Sequence, residues 1–104
     1  MLLKGSVTHV CDPDGDRYTV TAPTHWLATA GTGDVLGGIL GALVATHHAQ
    51  LATDAEVLTA LAATAAWVEG ESARLASAEA GGGPITALDV AVGVPRVIGA
   101  LLGR

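Results

Sequence analysis

At 104 residues, 50% of them hydrophobic and 14% charged, the sequence has room for one small domain and too little polarity for disorder. Its net charge of −5, without a basic run, argues against nucleic-acid binding, and its apolar stretches are shorter than the roughly 20 residues that span a bilayer. A single cysteine, Cys11, excludes an internal disulfide, so we expect a cytoplasmic protein in a reducing compartment that does not bind membranes.

The first third of the sequence predicts β-structure. Leu2-Leu3 is a short apolar run, and Val7–Cys11 and Arg17–Thr21 are rich in alternating and β-branched residues. Between these two segments, Asp12–Asp16 (DPDGD) is a strong turn signal. The alternating acids of this turn lack the glycine and glutamate that complete an EF-hand loop. We therefore predict a short N-terminal strand followed by a β-hairpin, Val7–Cys11 paired with Arg17–Thr21.

Two helices are predicted in the middle of the chain. The first starts near Gly33 and runs to about His48. The second begins after Thr53, because Thr53 and Glu56 match the two ends of a capping box. It ends before the flexible segment Gly81–Pro84, and leucine, alanine and valine recur between its ends at helical spacing.

A last helix is predicted from Thr86 onward. Asp89 is the N3 partner of the Thr86 cap, and Ile85 and Val90 are placed as a hydrophobic staple. Pro95 removes an intrahelical hydrogen bond, so we expect this helix to break just before it.

The order of these elements is unusual for a complete domain. Parallel strands need crossover helices between them, and the first 25 residues offer no helix. The chain is therefore expected to be the C-terminal part of a larger fold. Its core must be built from small aliphatic side chains, which bury little area each, so we also expect a homo-oligomer.

The segment Gly31-Thr32-Gly33-Asp34 stands where a glycine-rich loop becomes a helix. Amides in a first helical turn have no partner within the helix, and the macrodipole favours an anion there. We therefore predict that the amides of Ala30, Gly31, Thr32 and Gly33 form an anion hole for phosphate. Asp34 is placed to accept a proton from a hydroxyl beside that phosphate. An acid in a first turn also neutralises the dipole, so the motif alone leaves a purely structural role open.

Three blocks of the sequence resemble the C-terminal part of the NAD(P)H-hydrate dehydratase family, which has a ribokinase-like fold. The blocks are Lys4–Thr8 (KGSVT), Asp12–Gly15 and Leu27–Gly41, and their order and spacing agree with the family. The resemblance implies an α/β fold class: the C-terminal portion of a ribokinase-like fold, with an N-terminal strand and a β-hairpin followed by three or four helices. It implies that residues 1–104 form a single partial domain.

The resemblance also implies a reaction and its site. ADP or ATP, with Mg²⁺, phosphorylates the hydroxyl of NAD(P)H hydrate; phosphate then leaves and the dihydronicotinamide is restored. Asp34 is implied as the catalytic and substrate-binding residue that activates this hydroxyl. The residues implied to bind the nucleotide are Lys4, Gly5, Ser6, Val7, Thr8 and Gly33.

Two alternatives to this lyase stay open. The Gly-x-Gly-Asp turn is shared across the ribokinase-like superfamily, so a small-molecule kinase that phosphorylates an alcohol is one. The other is a non-catalytic nucleotide-binding fragment, which the short length favours. Glu69 stands where the family carries a histidine, and the family's N-terminal substrate-pocket segment is missing. A chain truncated in this way would have an incomplete hydrate site.

Overall fold

The computed structural model describes residues 1–103 as an α/β arrangement of a three-stranded sheet and four α-helices. In chain order the elements are β1 (Leu2–Leu3), β2 (Val7–Cys11), β3 (Arg17–Thr21), a 3₁₀ helix (His25–Ala28), α1 (Thr32–Thr46), α2 (His48–Thr53), α3 (Glu56–Glu79) and α4 (Ala87–Leu101). The sheet is antiparallel with the order β1-β2-β3. No helix within residues 1–103 is both long and apolar enough to cross a membrane.

The β-hairpin has the strand boundaries and pairing that the sequence predicts. Val7 pairs with Thr21, and the register continues to the turn end of both strands. Oδ1 of Asp12 accepts hydrogen bonds from the amides of Asp14 and Asp16 at 2.9 and 3.0 Å. The acidic turn is therefore held by its own side chain, as aspartate in a tight turn allows.

Helix α3 is the centre of the packing. It contacts α1, α4 and the sheet, and it contributes many small buried side chains. Two apolar clusters of buried residues result: Leu27, Ala73, Ile85 and Val90 form one, and Leu36, Ala65 and Ala66 form the other. Each cluster joins α3 to an element that borders the loop between the 3₁₀ helix and α1, so this loop rests on the core.

The predicted helix from near Gly33 to about His48 is confirmed as α1, which starts at Thr32. α1 ends at Thr46, and His47 caps it by donating its amide to the carbonyls of Leu43 and Val44. The ring Nδ1 of His47 also lies 2.7 Å from the Leu43 carbonyl oxygen. The short helix α2, which was not predicted, then begins at His48.

The predicted capping box at Thr53 is wrong. The Thr53 hydroxyl donates to the carbonyl of Gln50 within α2 at 3.1 Å. Oδ1 of Asp54 accepts the amide of Glu56 at 3.0 Å instead. Thr53 is therefore engaged with the preceding helix, because a threonine hydroxyl can bond either a nearby carbonyl or a following amide.

The start of α4 is confirmed and its predicted break is wrong. Thr86 and Asp89 form the complete capping box, and Ile85 and Val90 are both buried in one cluster, as a hydrophobic staple requires. The helix nevertheless continues through Pro95 to Leu101. An interior proline costs about 3 kcal/mol, whereas burying each large aliphatic side chain contributes about 1.5–3 kcal/mol. Buried valines on both sides of the proline, at positions 90 and 97, keep the helix intact.

Candidate active site

Gly31 sets the conformation of the turn that leads into α1. It is the N-cap of the helix and has a φ of 92°, in the left-handed region that glycine adopts without strain. A Cβ on Gly31 would also lie 3.0 Å from the Cβ of Ala87 in α4. Both the backbone angle and the close approach of α4 therefore require glycine at this position.

The amides of this turn are largely open. Of the four predicted to bind an anion, that of Thr32 donates to the carbonyl of Thr29 at 3.3 Å. The amides of Ala30, Gly31 and Gly33 donate to no acceptor within residues 1–103. The space at Gly33 is also open, since a Cβ built there would meet no atom within 4 Å. Anion binding here stays a prediction, with three donors available for it.

Asp34 lies in the first turn of α1, at the position three residues after the N-cap. It is exposed, and its carboxylate forms no hydrogen bond or salt bridge in the part of the chain that the structure describes. The backbone amide of Asp34 donates to the carbonyl of Gly31 at 3.1 Å, which fixes the start of the helix. An unpaired carboxylate in this place is available to accept a proton from a ligand.

Two hydrogen bonds hold the turn against the loop that joins α3 to α4. The indole N–H of Trp26 donates to the carbonyl of Gly82 at 3.0 Å, and the hydroxyl of Thr29 donates to the carbonyl of Ile85 at 3.2 Å. Leu27 is buried in the same cluster as Ile85. The turn is therefore shaped by contacts with a distant part of the sequence.

A cavity of about 450 Å³ lies beside the residues that precede this turn. That volume is within the range of small-molecule sites. Four of the six predicted nucleotide-binding residues line it, namely Lys4–Val7; Thr8, which is buried in the sheet, and Gly33 do not. The lining residues that were not predicted are Thr21, Ala22, Thr24, His25, Leu27 and Ala28. The predicted hairpin register, which pairs Val7 with Thr21, already pointed to the first of these.

Lys4 connects the cavity to the turn. Its Nζ donates to Oγ1 of Thr32 at 3.2 Å, and its side chain is 26% exposed. The Thr32 hydroxyl in turn donates to the carbonyl of Leu27 at 2.8 Å and is buried. A cation is thus fixed between the cavity wall and the first residue of α1.

Glu69 lies behind Lys4 and was assigned no role from the sequence. It projects from α3, is 1% exposed, and its Oε1 lies 4.0 Å from the Lys4 Nζ. Its Oε2 has no hydrogen-bond partner in the described part of the chain. Burial raises the pKa of Glu69 from its ordinary value of 4.5 to about 7, although Lys4 acts to lower it. Ala65 and Ala73, four residues before and after it on the same face of α3, are small and buried, and this spacing was the sequence signal for its burial.

A match to a known protein family covers nearly the whole chain. A family model described as NAD(P)H-hydrate dehydratase matches residues 1–95. The chain belongs to the NAD(P)H-hydrate dehydratase family. The resemblance that the Lys4–Thr8, Asp12–Gly15 and Leu27–Gly41 blocks indicate is therefore confirmed.

Individual relatives in the dehydratase family match the chain in part. An ADP-dependent (S)-NAD(P)H-hydrate dehydratase of Neisseria meningitidis serogroup B is 41% identical over 81 residues, which are 78% of this chain and 25% of the relative. A bifunctional NAD(P)H-hydrate repair enzyme Nnr of Methanospirillum hungatei is 37% identical over 98 residues, 94% of this chain and 18% of the relative. The Nnr of Mycobacterium leprae is 56% identical over 45 residues, 43% of this chain and 10% of the relative. The chain spans a quarter or less of the length of these dehydratases and repair enzymes, and no solved structure matches it.

Proposed function

We propose that the chain supplies the nucleotide site and the general base of an NAD(P)H-hydrate dehydratase, a lyase that restores NAD(P)H from its hydrate with ADP or ATP in the cytoplasm. The observation that carries the proposal is the open N-terminus of α1, where three amides lie next to the carboxylate of Asp34 and none of these groups has a partner among residues 1–103. Lys4 is anchored to the same turn through Thr32. In this proposal the fold is the C-terminal portion of a ribokinase-like domain.

The nucleotide lies in the cavity lined by Lys4–Val7. Apolar residues of its wall, such as Leu27, suit an adenine ring, and the ammonium of Lys4 suits a phosphate. ADP is supported as the donor because a relative carries ADP-dependent in its name. Mg²⁺ would be held by phosphate oxygens of the nucleotide and by water, and it would neutralise phosphate charge during the transfer.

The chemistry assigned to the turn is phosphoryl transfer followed by elimination. The hydroxyl of the hydrate loses its proton to Asp34 while its oxygen attacks the terminal phosphorus, and the bond from that phosphorus to the rest of the nucleotide breaks. The amides of Ala30, Gly31 and Gly33 stabilise the charge on the phosphoryl oxygens. Phosphate then leaves with the C–O electron pair, and loss of a proton from the neighbouring carbon restores the double bond of the dihydronicotinamide.

The test mixes the 104-residue chain with hydrated NADH and either ADP or ATP and follows the absorbance of the dihydronicotinamide. Recovery of that absorbance, dependent on the nucleotide, is expected. Phosphorylation of another alcohol without recovery would favour the small-molecule kinase. Nucleotide binding without any turnover would identify a non-catalytic fragment, and failure to bind ADP or ATP would contradict the proposed site.

We also propose that the protein is a homo-oligomer. Helix α4 exposes large aliphatic side chains, since Leu88 and Val92 are each 71% exposed. Contiguous apolar surface of this kind is typical of interaction sites. Light scattering after size exclusion should give a multiple of the 10.3 kDa chain mass, and a value for one chain would contradict this proposal.

A further inference from the structure

Glu69 is the one charged residue among residues 1–103 whose side chain is fully buried. A buried carboxylate is strongly unfavourable unless an opposite charge or hydrogen-bond donors compensate it. Lys4 is the charged group that faces it, and the backbone of Leu36 in α1 is the other group that favours its ionised form. The contact joins α3 to the segment after β1, two regions far apart in the sequence.

We propose that Glu69 is a positioning residue for Lys4. Its carboxylate holds the ammonium of Lys4 against the hydroxyl of Thr32, at the base of the open turn, and the third N–H group of Lys4 is left for the phosphates of a nucleotide. This inference rests on the proposed nucleotide site, because the orientation of Lys4 matters to catalysis only when a nucleotide occupies the cavity.

The geometry divides the roles of the two residues. Glu69 is 1% exposed and lies behind the lysine, so it acts through Lys4 rather than on a ligand. The Lys4 side chain is 26% exposed and lines the cavity. The Thr32 hydroxyl directs its proton to backbone carbonyls, at 2.8 Å from that of Leu27, which leaves its lone pairs for the ammonium. Lys4 is therefore held from two sides and open on a third.

The attraction between Glu69 and Lys4 depends on the charge of Glu69 and hence on pH. Because burial raises the pKa of Glu69 to about 7, the carboxylate that attracts Lys4 forms as the pH rises through this value. The same shift sets the sign of the stability change. Between 4.5 and about 7 the folded chain keeps a proton that the unfolded chain has released, so the free energy of unfolding falls as the pH rises. Glu69→Gln should abolish this slope while keeping the shape of the side chain.

The first experiment uses Lys4 as its own reporter, because it is the only lysine in the sequence. The ¹³Cε resonance of the ¹³C-labelled lysine in the full chain is followed against pH. An inflection near pH 7 is expected in the wild type and should vanish in Glu69→Gln. Glu71→Gln is the matched control, since Glu71 lies on the same helix and pairs with Arg74 at 2.9 Å. A wild-type lysine resonance without this inflection would overturn the proposal even if the glutamine variant failed to fold.

The second experiment measures ADP affinity by calorimetry at a pH above 7 for the same three proteins. Glu69→Gln should bind ADP about tenfold more weakly, as expected for the loss of an oriented charge-assisted hydrogen bond. Its free energy of unfolding should be equal to that of the wild type or higher, which a merely structural role would not give. Glu71→Gln should match the wild type in affinity. Equal ADP affinity in Glu69→Gln and the wild type would overturn the proposal.

The two experiments separate this inference from the proposed function. A Lys4 inflection in a chain that does not bind ADP would contradict the nucleotide site and support the pairing of Glu69 with Lys4. ADP binding without any dependence on Glu69 would support the nucleotide site and contradict the positioning role.

Discussion

The N-termini of α1 and α4 carry an aspartate at the same helical position and use it in opposite ways. In α4 the carboxylate of Asp89 accepts the amide of Thr86 at 2.9 Å, and the Thr86 hydroxyl accepts the amide of Asp89 at 3.1 Å. In α1 the N-cap is Gly31, which has no side chain, and Asp34 accepts no such bond. Helix α4 closes its own end, whereas α1 leaves its end open.

The two aspartates share the helix dipole and differ in the cap. Both helices gain from an acid in the first turn, yet only in α4 does the acid complete a cap. The open amides of α1 have room for an outside acceptor at Gly33, and a phosphate is the acceptor that such a terminus favours. We therefore expect a ligand role for Asp34 and a stability role for Asp89.

Exchanging each aspartate for asparagine should separate these roles most strongly. Asp34→Asn is expected to lower turnover of hydrated NADH by about 10²–10⁴-fold, the usual contribution of a general base, with nearly unchanged ADP affinity. Its stability should fall by only about 0.3–1 kcal/mol, because the acid no longer neutralises the helix dipole. Asp89→Asn is the matched control and should keep most of the turnover. Steady-state kinetics on both variants test this expectation. Full activity in Asp34→Asn would refute the role of Asp34 as general base.

Placing a side chain at the N-cap of α1 should have the next largest effect. Gly31→Ala is expected to lower the free energy of unfolding by about 2 kcal/mol, because alanine is strained at a φ of 92° and its Cβ would press on Ala87. Urea denaturation measures the change. Unaltered stability would mean that the turn tolerates a different conformation.

Removing the cap of α4 should have a smaller effect on stability. Thr86→Ala deletes the hydroxyl that accepts the Asp89 amide and is expected to cost about 1 kcal/mol. Denaturation curves for Thr86→Ala and the wild type give this value. Nucleotide affinity should be unaffected. A loss of ADP affinity as large as that of a variant in the candidate site would contradict the assignment of binding to the N-terminus of α1 and of stability to that of α4.

A methyl group beside the open amides should have the smallest effect. Gly33→Ala is expected to weaken ADP binding by about fivefold, because Cβ atoms lean toward the helix N-terminus. Its stability should be unchanged or rise by up to about 1 kcal/mol, since alanine favours helix over glycine. Gly37→Ala, in equally open space one turn later, is the control. Calorimetric titration of both should show weaker binding in Gly33→Ala alone; equal affinities would place the anion elsewhere.

The parts of the fold that the sequence predicts correctly depend on neighbours along the chain. The hairpin follows from one turn between two alternating segments, and the start of α4 follows from Thr86 and Asp89, three residues apart. The errors arise where a local sequence signal competes with burial in the core or with another hydrogen bond. Pro95 stays helical because valines on both sides of it are buried, and Thr53 bonds the helix before it rather than the one after it.

The candidate site divides in the same way. Gly31 and Asp34 are recognisable because the glycine, the helix start and the acid lie within one short motif. The pairing of Lys4 with Glu69 was not predicted, because it depends on how α3 packs against the segment after β1. The cavity lining beyond Lys4–Val7 likewise required the path of the chain after β3.

The hydrogen bonds from Trp26 and Thr29 bear on the order in which the molecule folds. Each joins residues 56 positions apart, so the turn reaches its native shape only after the long helix and its following loop have returned to it. Closing a segment of that length costs about 3–4 kcal/mol of chain entropy, which hairpin and helix formation largely avoid. We therefore expect the turn to assemble late, and a ligand bound there would tie both halves of the chain together.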